Sequence, residues 1–274
     1  MSQGYAVTNA LTGLAATSFT WSSAYTTNRA RLNDGILDEL ASSAGSAQAS
    51  GQTLVINMGS ATALVGFALL NHNLASGACT VRVRAATDAA ITVGVVTAKD
   101  ASTITTTAPD SKDTILQFPS VTKQYWELTF VHTGTKIVTL GEVLAFASIT
   151  TLTRSSIYGD GESERAVINR NVSQLGHQRA TFVGGPVRTK RHIYKDLSLS
   201  EKAEMRAMWA ASNYGVSNIL WLDYVESIST AATAAGMACL WGKIEPSFDW
   251  TQGDYQLFDP SDFTLLGQGR EVGS

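Results

Sequence analysis

The sequence predicts a mainly β protein: a β-sandwich followed by a smaller α+β domain with one main helix. Three observations carry this. Apolar stretches of strand length recur through residues 1–150, with Gly, Ser, Asn or Pro between them. Thr80–Ala85 (TVRVRA) alternates with period two, so Val81 and Val83 face inward and Arg82 and Arg84 outward. A clear helix-start signal, Ser198 followed by Glu201, opens a run of good helix formers.

In order, the strands of the first half are 53–58 (TLVINM), 63–70 (ALVGFALL), 80–85, 91–96 (ITVGVV), 114–118 (TILQF), 125–130 (YWELTF) and 137–144 (IVTLGEVL). The Ala/Ser/Gly-rich stretch 40–51 reads as a surface loop. A second half, 151–274, begins near Leu152. Its opening segment, 154–195, carries eight Lys/Arg against three acids and reads as a connecting arm. The helix follows at about 199–214, stopped by Gly215, with Leu199, Ala203, Ala207, Ala210 and Tyr214 on one face. Strands are expected at 218–225, 237–244, 255–258 and 263–266, with the small-residue stretch 227–236 as a loop.

Composition bounds the function. The 274 residues are 44% hydrophobic, enough to bury a sizeable core. Only 16% are charged, against roughly 25% in an average domain, so Ser, Thr, Gly, Asn and Ala must cover much of the surface. The net charge of −3 argues against bulk nucleic-acid binding. No stretch approaches the roughly 18 apolar residues of a membrane helix, and the N-terminus lacks the basic and apolar regions of a signal peptide. Cys79 and Cys239 read as buried, inert thiols.

Catalytic signals are absent. His72, His132, His177 and His192 form no metal-binding spacing, and there is no nucleophile elbow or phosphate-cradling glycine motif. The expectation is a non-enzyme without a cofactor. Asn71-His72-Asn73, at the end of a strand, reads first as a turn whose side chains cover open backbone groups, and second as a ligand loop. Asn28, Asp34 and Glu142 are a weak calcium candidate, because hard oxygen donors suit that ion. Arg165, Arg170, Arg179, Arg188 and Arg191 are candidate interface residues, since the planar guanidinium makes paired hydrogen bonds.

The order of NRARLNDG (28–35), LVINMG (54–59), VGFALLNHNL (65–74), VRVRAATD (81–88), YWELTF (125–130) and IVTLGEV (137–143) resembles discoidin-like, galactose-binding-like β-jelly rolls over about residues 5–150. The resemblance implies a jelly roll whose rim loops bind sugars, lipids or proteins, often with a structural calcium. Trp21 and Tyr25 are the plausible stacking rings before Leu40, and with Asn71, His72 and Asn73 they mark a candidate rim. The ALLNHNL form, the capped helix and the aromatic segments ILWLDYV and LWGKI also resemble tailed-phage proteins of the distal-tail and minor-tail class. That resemblance implies a virion protein of the tail tip or baseplate, made in the host cytoplasm. Its partners would be copies of itself and neighbouring tail proteins, with no membrane or nucleic acid. The alternative is a carbohydrate-binding module for attachment to a host surface glycan.

Overall fold

The structure is a computed structural model of the chain. It describes all residues except 1–2, 24–27, 37–38, 45–50, 75–78, 104–112, 133, 155–160, 173–177, 193, 195–196, 223–224, 226–236, 245–248, 253–257, 262 and 270–274. Tyr25, the loop 227–236 and most of the small-residue stretch before Gly51 therefore lie outside the described residues.

The strands are β1 Gly4–Ala6, β2 Phe19–Trp21, β3 Ala41–Ser42, β4 Gln52–Leu70, β5 Thr80–Ala86, β6 Val96–Thr103, β7 Thr114–Val131, β8 Thr139–Leu140, β9 Glu142–Phe146, β10 Thr150–Thr151, β11 Gly161–Val172, β12 Gln178–His192, β13 Ile219–Leu222, β14 Met237–Ile244, β15 Asp249–Gln252, β16 Phe258–Ser261 and β17 Phe263–Gly269. The one α-helix among the described residues is α1, Leu199–Ala211. The protein is mainly β; the pairs β11–β12, β12–β17, β14–β17, β14–β7, β15–β16, β2–β4, β3–β8, β4–β7, β4–β9, β5–β6 and β5–β7 are antiparallel.

The chain forms two compact units. One holds Thr8–Thr150 and Leu222–Cys239; the other holds Met1–Val7, Thr151–Trp221 and Leu240–Ser274. The division differs from a cut at 150 in two ways: Leu222–Cys239 groups with the first unit, and Met1–Val7 with the second. The first strand, β1, pairs with β10 and β13 and so joins the second unit.

The first unit is a sandwich built on two long strands. β4 and β7 pair from Gln52↔Phe130 to Leu69↔Thr114, with register shifts between Asn57 and Thr62 and between Leu64 and Gly66. Four separate strands were expected here. Instead Gly59, at φ +77°, is absorbed as an irregularity, and Pro119 falls opposite the second shift, where no ladder hydrogen bond is required of it. β2 extends the early part of β4, and β9 pairs with its later part. β5 pairs with the later part of β7, and β6 with β5. The two ladders face each other across one core. Phe67 of late β4 stands 5.5 Å from Trp126, and Phe118 lies 5.6 Å from the same ring.

The segment 91–96, expected to be a strand, is a loop that reaches β6 only at Val96. Asp88 explains why. Its carboxylate accepts the Thr92 and Val93 amides at 3.0 and 2.7 Å, which folds the chain back on itself. Those hydrogen bonds, the Val93 amide foremost, hold the Asp88 carboxyl below the usual carboxylate range. Ile91 is left at φ +55°, a strained position for a β-branched residue.

In the second unit the basic segment is a β-hairpin rather than an arm. β11 and β12 pair from Gly161↔Arg191 to Val172↔Gln178, and β12 pairs onward with β17. The helix start is as the sequence reads: Ser198 and Glu201 form a capping box. The Ser198 amide, donating to Glu201, is the main cause of a lowered Glu201 carboxyl. Its buried face is a correction. Met205 and Met208 are buried, while Leu199, Ala203, Ala207, Ala210 and Tyr214 are exposed. Two methionines offer far more apolar area than a row of alanines, so they decide which face turns inward. They pack in a cluster with Tyr5, Tyr194, Ile219 and Trp221.

Candidate functional site

Three groups of residues in the sandwich were readable as sites. The structure treats them differently.

Asn71-His72-Asn73 closes a turn. Asn71 adopts φ +47°, and its amide donates to Asp113 at 2.9 Å. The Leu74 amide donates to Nδ1 of His72 at 3.2 Å, so the ring proton sits on Nε2, which donates to Thr114 Oγ1 at 2.9 Å. Asn73 donates to the Ile137 carbonyl at 2.8 Å and accepts the Thr139 amide at 3.1 Å. Asn71 and His72 are buried. The His72 and Asn73 side chains are thus committed to the turn. A His72→Ala variant is expected to lose about 1–2 kcal/mol of stability, read as a lower denaturant midpoint with an unchanged slope.

Trp21 is not a rim platform. It is 2% exposed and packs 5.9 Å from Phe130 in the core. Its place in β2, opposite Leu54, turns it inward.

Glu142 and Asp34 do come together. Glu142 opens β9 and is 4% exposed. Burial, and then the neighbouring Asp34 carboxylate, push its carboxyl up to about 7, against the opposing hydrogen bond from the Gly35 amide. Its Oε2 is buried without a hydrogen-bond partner. A buried, orphaned carboxylate oxygen beside a second carboxylate fits a hard divalent cation, which would cancel the repulsion between the two. Glu142 and Asp34 would hold it, and its role there would be to lock the 28–35 loop to β9. Asn28 sits at φ +66° and makes no capping hydrogen bond. Among the described residues no group of three or more His, Cys, Asp or Glu side chains clusters for a metal.

The fourth feature is the outer face of the β4–β7–β5 ladder. Trp126, Leu128 and Phe130 fill the core, so the alternate residues Tyr125, Glu127 and Thr129 face outward. Register places Asn57 beside Tyr125, Arg84 beside Glu127 and Arg82 beside Thr129. Arg84 donates Nε and Nη2 to Glu127 Oε1 at 2.8 and 2.7 Å, and Thr129 Oγ1 donates to the same oxygen at 2.8 Å. Arg82 is half-buried, its Nε is shielded from solvent, and that nitrogen makes no hydrogen bond. The alternation VRVR had already turned both arginines outward. The sequence did not reveal that one would find a carboxylate and the other would not, because the acid lies 43 residues away from Arg84.

The chain is similar to carbohydrate-binding modules. No family model matches it, and no curated protein does. Among solved structures, it is similar to chitosan-binding module 1 of the chitosanase/glucanase from Paenibacillus sp. IK-5. The identity there is 18%, over 51% of this chain and 98% of that one, with a TM-score of 0.38. It is similar to the carbohydrate-binding module of AlyQ in complex with 4,5-unsaturated mannuronic acid, at 20% identity over 53% and 98% of the two chains, TM-score 0.39. It is also similar to the lectin domain of lectinolysin complexed with Lewis B antigen, at 16% identity over 52% and 97%, TM-score 0.39.

The five arginines expected at an interface all lie on the β11–β12 hairpin. Arg188 is in register with Glu164, and Lys190 with Glu162. Arg165, Arg170, Arg179 and Arg191 stand opposite Val187, Ala180, Asn171 and Gly161. Cys79 is buried, and burial raises its thiol to about 11; Cys239 is buried too.

Proposed function

We propose that the protein is a non-catalytic binding module whose sandwich engages a glycan, serving attachment to a surface. The observation that carries this reading is the outer face of β4, β7 and β5. Glu127 and Thr129 are buried in it, while the half-buried Asn57, Arg82, Arg84 and Tyr125 present amide and guanidinium groups around one tyrosine ring. Such a surface offers hydrogen bonds and one stacking plane, which suits a polyhydroxylated chain. Native gel electrophoresis through a panel of soluble polysaccharides tests it. Retardation by at least one polymer, lost in Tyr125→Ala, is the expected result. Free migration through the whole panel would remove the reading.

A second reading is a structural subunit of a tailed-phage tail tip or baseplate, built through large permanent interfaces. The β11–β12 hairpin favours it. β11 is the end strand of its sheet and pairs with β12 alone among the described strands, which leaves a twelve-residue edge open to a neighbour. Light scattering across a concentration series, with electron microscopy of intact particles, tests it. A protein that stays monomeric and is found in no particle would exclude it.

A further inference from the structure

We infer that the outer sheet face takes a glycan bearing carboxylates, with Arg82 as the residue that binds the carboxylate. This rests on the glycan reading above and narrows it to a charge class.

The two arginines of the face are partnered unequally. Arg84 pairs with Glu127 across β5 and β7, whereas Asp100 of β6, which lies in the register interval opposite Arg82, forms no ion pair with it. The glutamate goes to Arg84 and not to Arg82. Its Oε1 already accepts two nitrogens of Arg84 and the hydroxyl of Thr129. Among the described residues, no ion pair engages Arg82. Its Nε is buried without an acceptor. A guanidinium never releases its charge in a protein, so a partly desolvated one without a counter-ion is a cost to the fold. An incoming carboxylate removes that cost and meets a planar fork of matching geometry.

The neighbours select the rest of the ligand. Thr129 lies beside Arg82 in register, and Tyr125 and Asn57 lie along the same face. Among the exposed large apolar side chains only Val131, at the end of β7, belongs to the outward-facing positions of this strand. An acidic protein partner would need buried aromatic or aliphatic anchors, and the face does not supply a cluster of them. A carboxylated sugar chain needs polar partners, a ring to lie against and one cation; the half-buried Asn57, Tyr125 and Arg82 supply these, while Thr129 is buried with its hydroxyl committed to Glu127.

Native electrophoresis at neutral pH through gels containing polygalacturonate, its fully methyl-esterified form, or poly-glutamate tests this with the full-length chain. Polygalacturonate is expected to retard the protein, and added salt to weaken the effect. Arg82→Gln should weaken retardation about tenfold or more while leaving Tm unchanged or raised. A residue needed only for folding would lower Tm instead. Arg82→Lys should keep part of the binding, because charge remains without the fork. Arg82→Gln binding as well as the parent would overturn the inference. Equal retardation by the methyl ester would also overturn it, but the glycan reading would survive. Equal retardation by poly-glutamate would point to an acidic protein partner and overturn it as well. Free migration in all three gels, with a neutral polysaccharide binding elsewhere in the panel, sinks the acidic class alone. No binding to any polymer sinks both.

Discussion

In a chelator, the protein is expected to lose stability as pH rises from about 4.5 to about 7, and then to level off. Glu142 sets this window. Its carboxyl ionises at an ordinary 4.5 in the unfolded chain and at about 7 in the fold. Between those values the folded state holds a proton that the unfolded state has released, so raising the pH favours unfolding. Above about 7 both states are ionised, and the full penalty of the buried charge is present. The size is on the order of 3 kcal/mol, since the carboxyl moves from 4.5 to about 7 and each tenfold change in proton affinity is worth about 1.36 kcal/mol. Glu142→Gln should remove the slope and be more stable than the parent at pH 8. Denaturant titrations at a series of pH values measure it. A slope of opposite sign, or one unchanged in the variant, would contradict the assignment to Glu142. The same carboxylate predicts a cation effect. Calcium added at pH 8 should raise Tm in the parent and leave Glu142→Gln unmoved, since a cation bound only to the folded state stabilises it by mass action.

Trp126→Ala should cost about 3–5 kcal/mol. Trp126 is fully buried where the two ladders of the sandwich meet. Its ring touches Phe67 at 5.5 Å and Phe118 at 5.6 Å, and its indole donates to the Lys123 carbonyl at 3.2 Å. Removal leaves a cavity between two sheets that cannot close without moving both strands that span them. Thermal unfolding followed by near-ultraviolet circular dichroism would show it, as a lower Tm with a weaker aromatic signal. A loss below about 1 kcal/mol would mean that the sandwich core collapses around the gap, against the packing described. Trp126→Phe should recover much of the loss, because it keeps a ring against Phe67 and Phe118 while giving up the indole hydrogen bond and the volume of one fused ring.

Several of these features were legible in the sequence. Period-two alternation placed Val81 and Val83 inside and Arg82 and Arg84 outside, because a strand sends successive side chains to opposite faces. The capping box at Ser198 was legible because both partners lie within four residues. Asn71-His72-Asn73 could be read as a turn for the same reason: polar side chains at a strand end have nearby backbone groups to cover.

The misreadings share a different cause. The 91–96 segment has strand composition, but Asp88 captures its amides first. The helix face was assigned by small-residue periodicity, while burial followed the two methionines. Trp21 looked available to a ligand, and its pairing with Leu54 buried it. The basic arm became a hairpin because β12 pairs on one side with β11 and on the other with β17, a partner more than seventy residues along the chain that local composition does not announce.

By itself, then, the sequence determined what short range decides: strand faces, the helix cap, the turn at His72 and the mainly β class. Tertiary structure alone decided the chemistry. Glu142 meets Asp34 across more than a hundred residues, and Glu127 goes to Arg84 and not to Arg82. A carboxylate's ionisation and an arginine's lack of a partner depend on which groups lie within a few ångströms. Distance along the chain carries no information about that until the strands have paired.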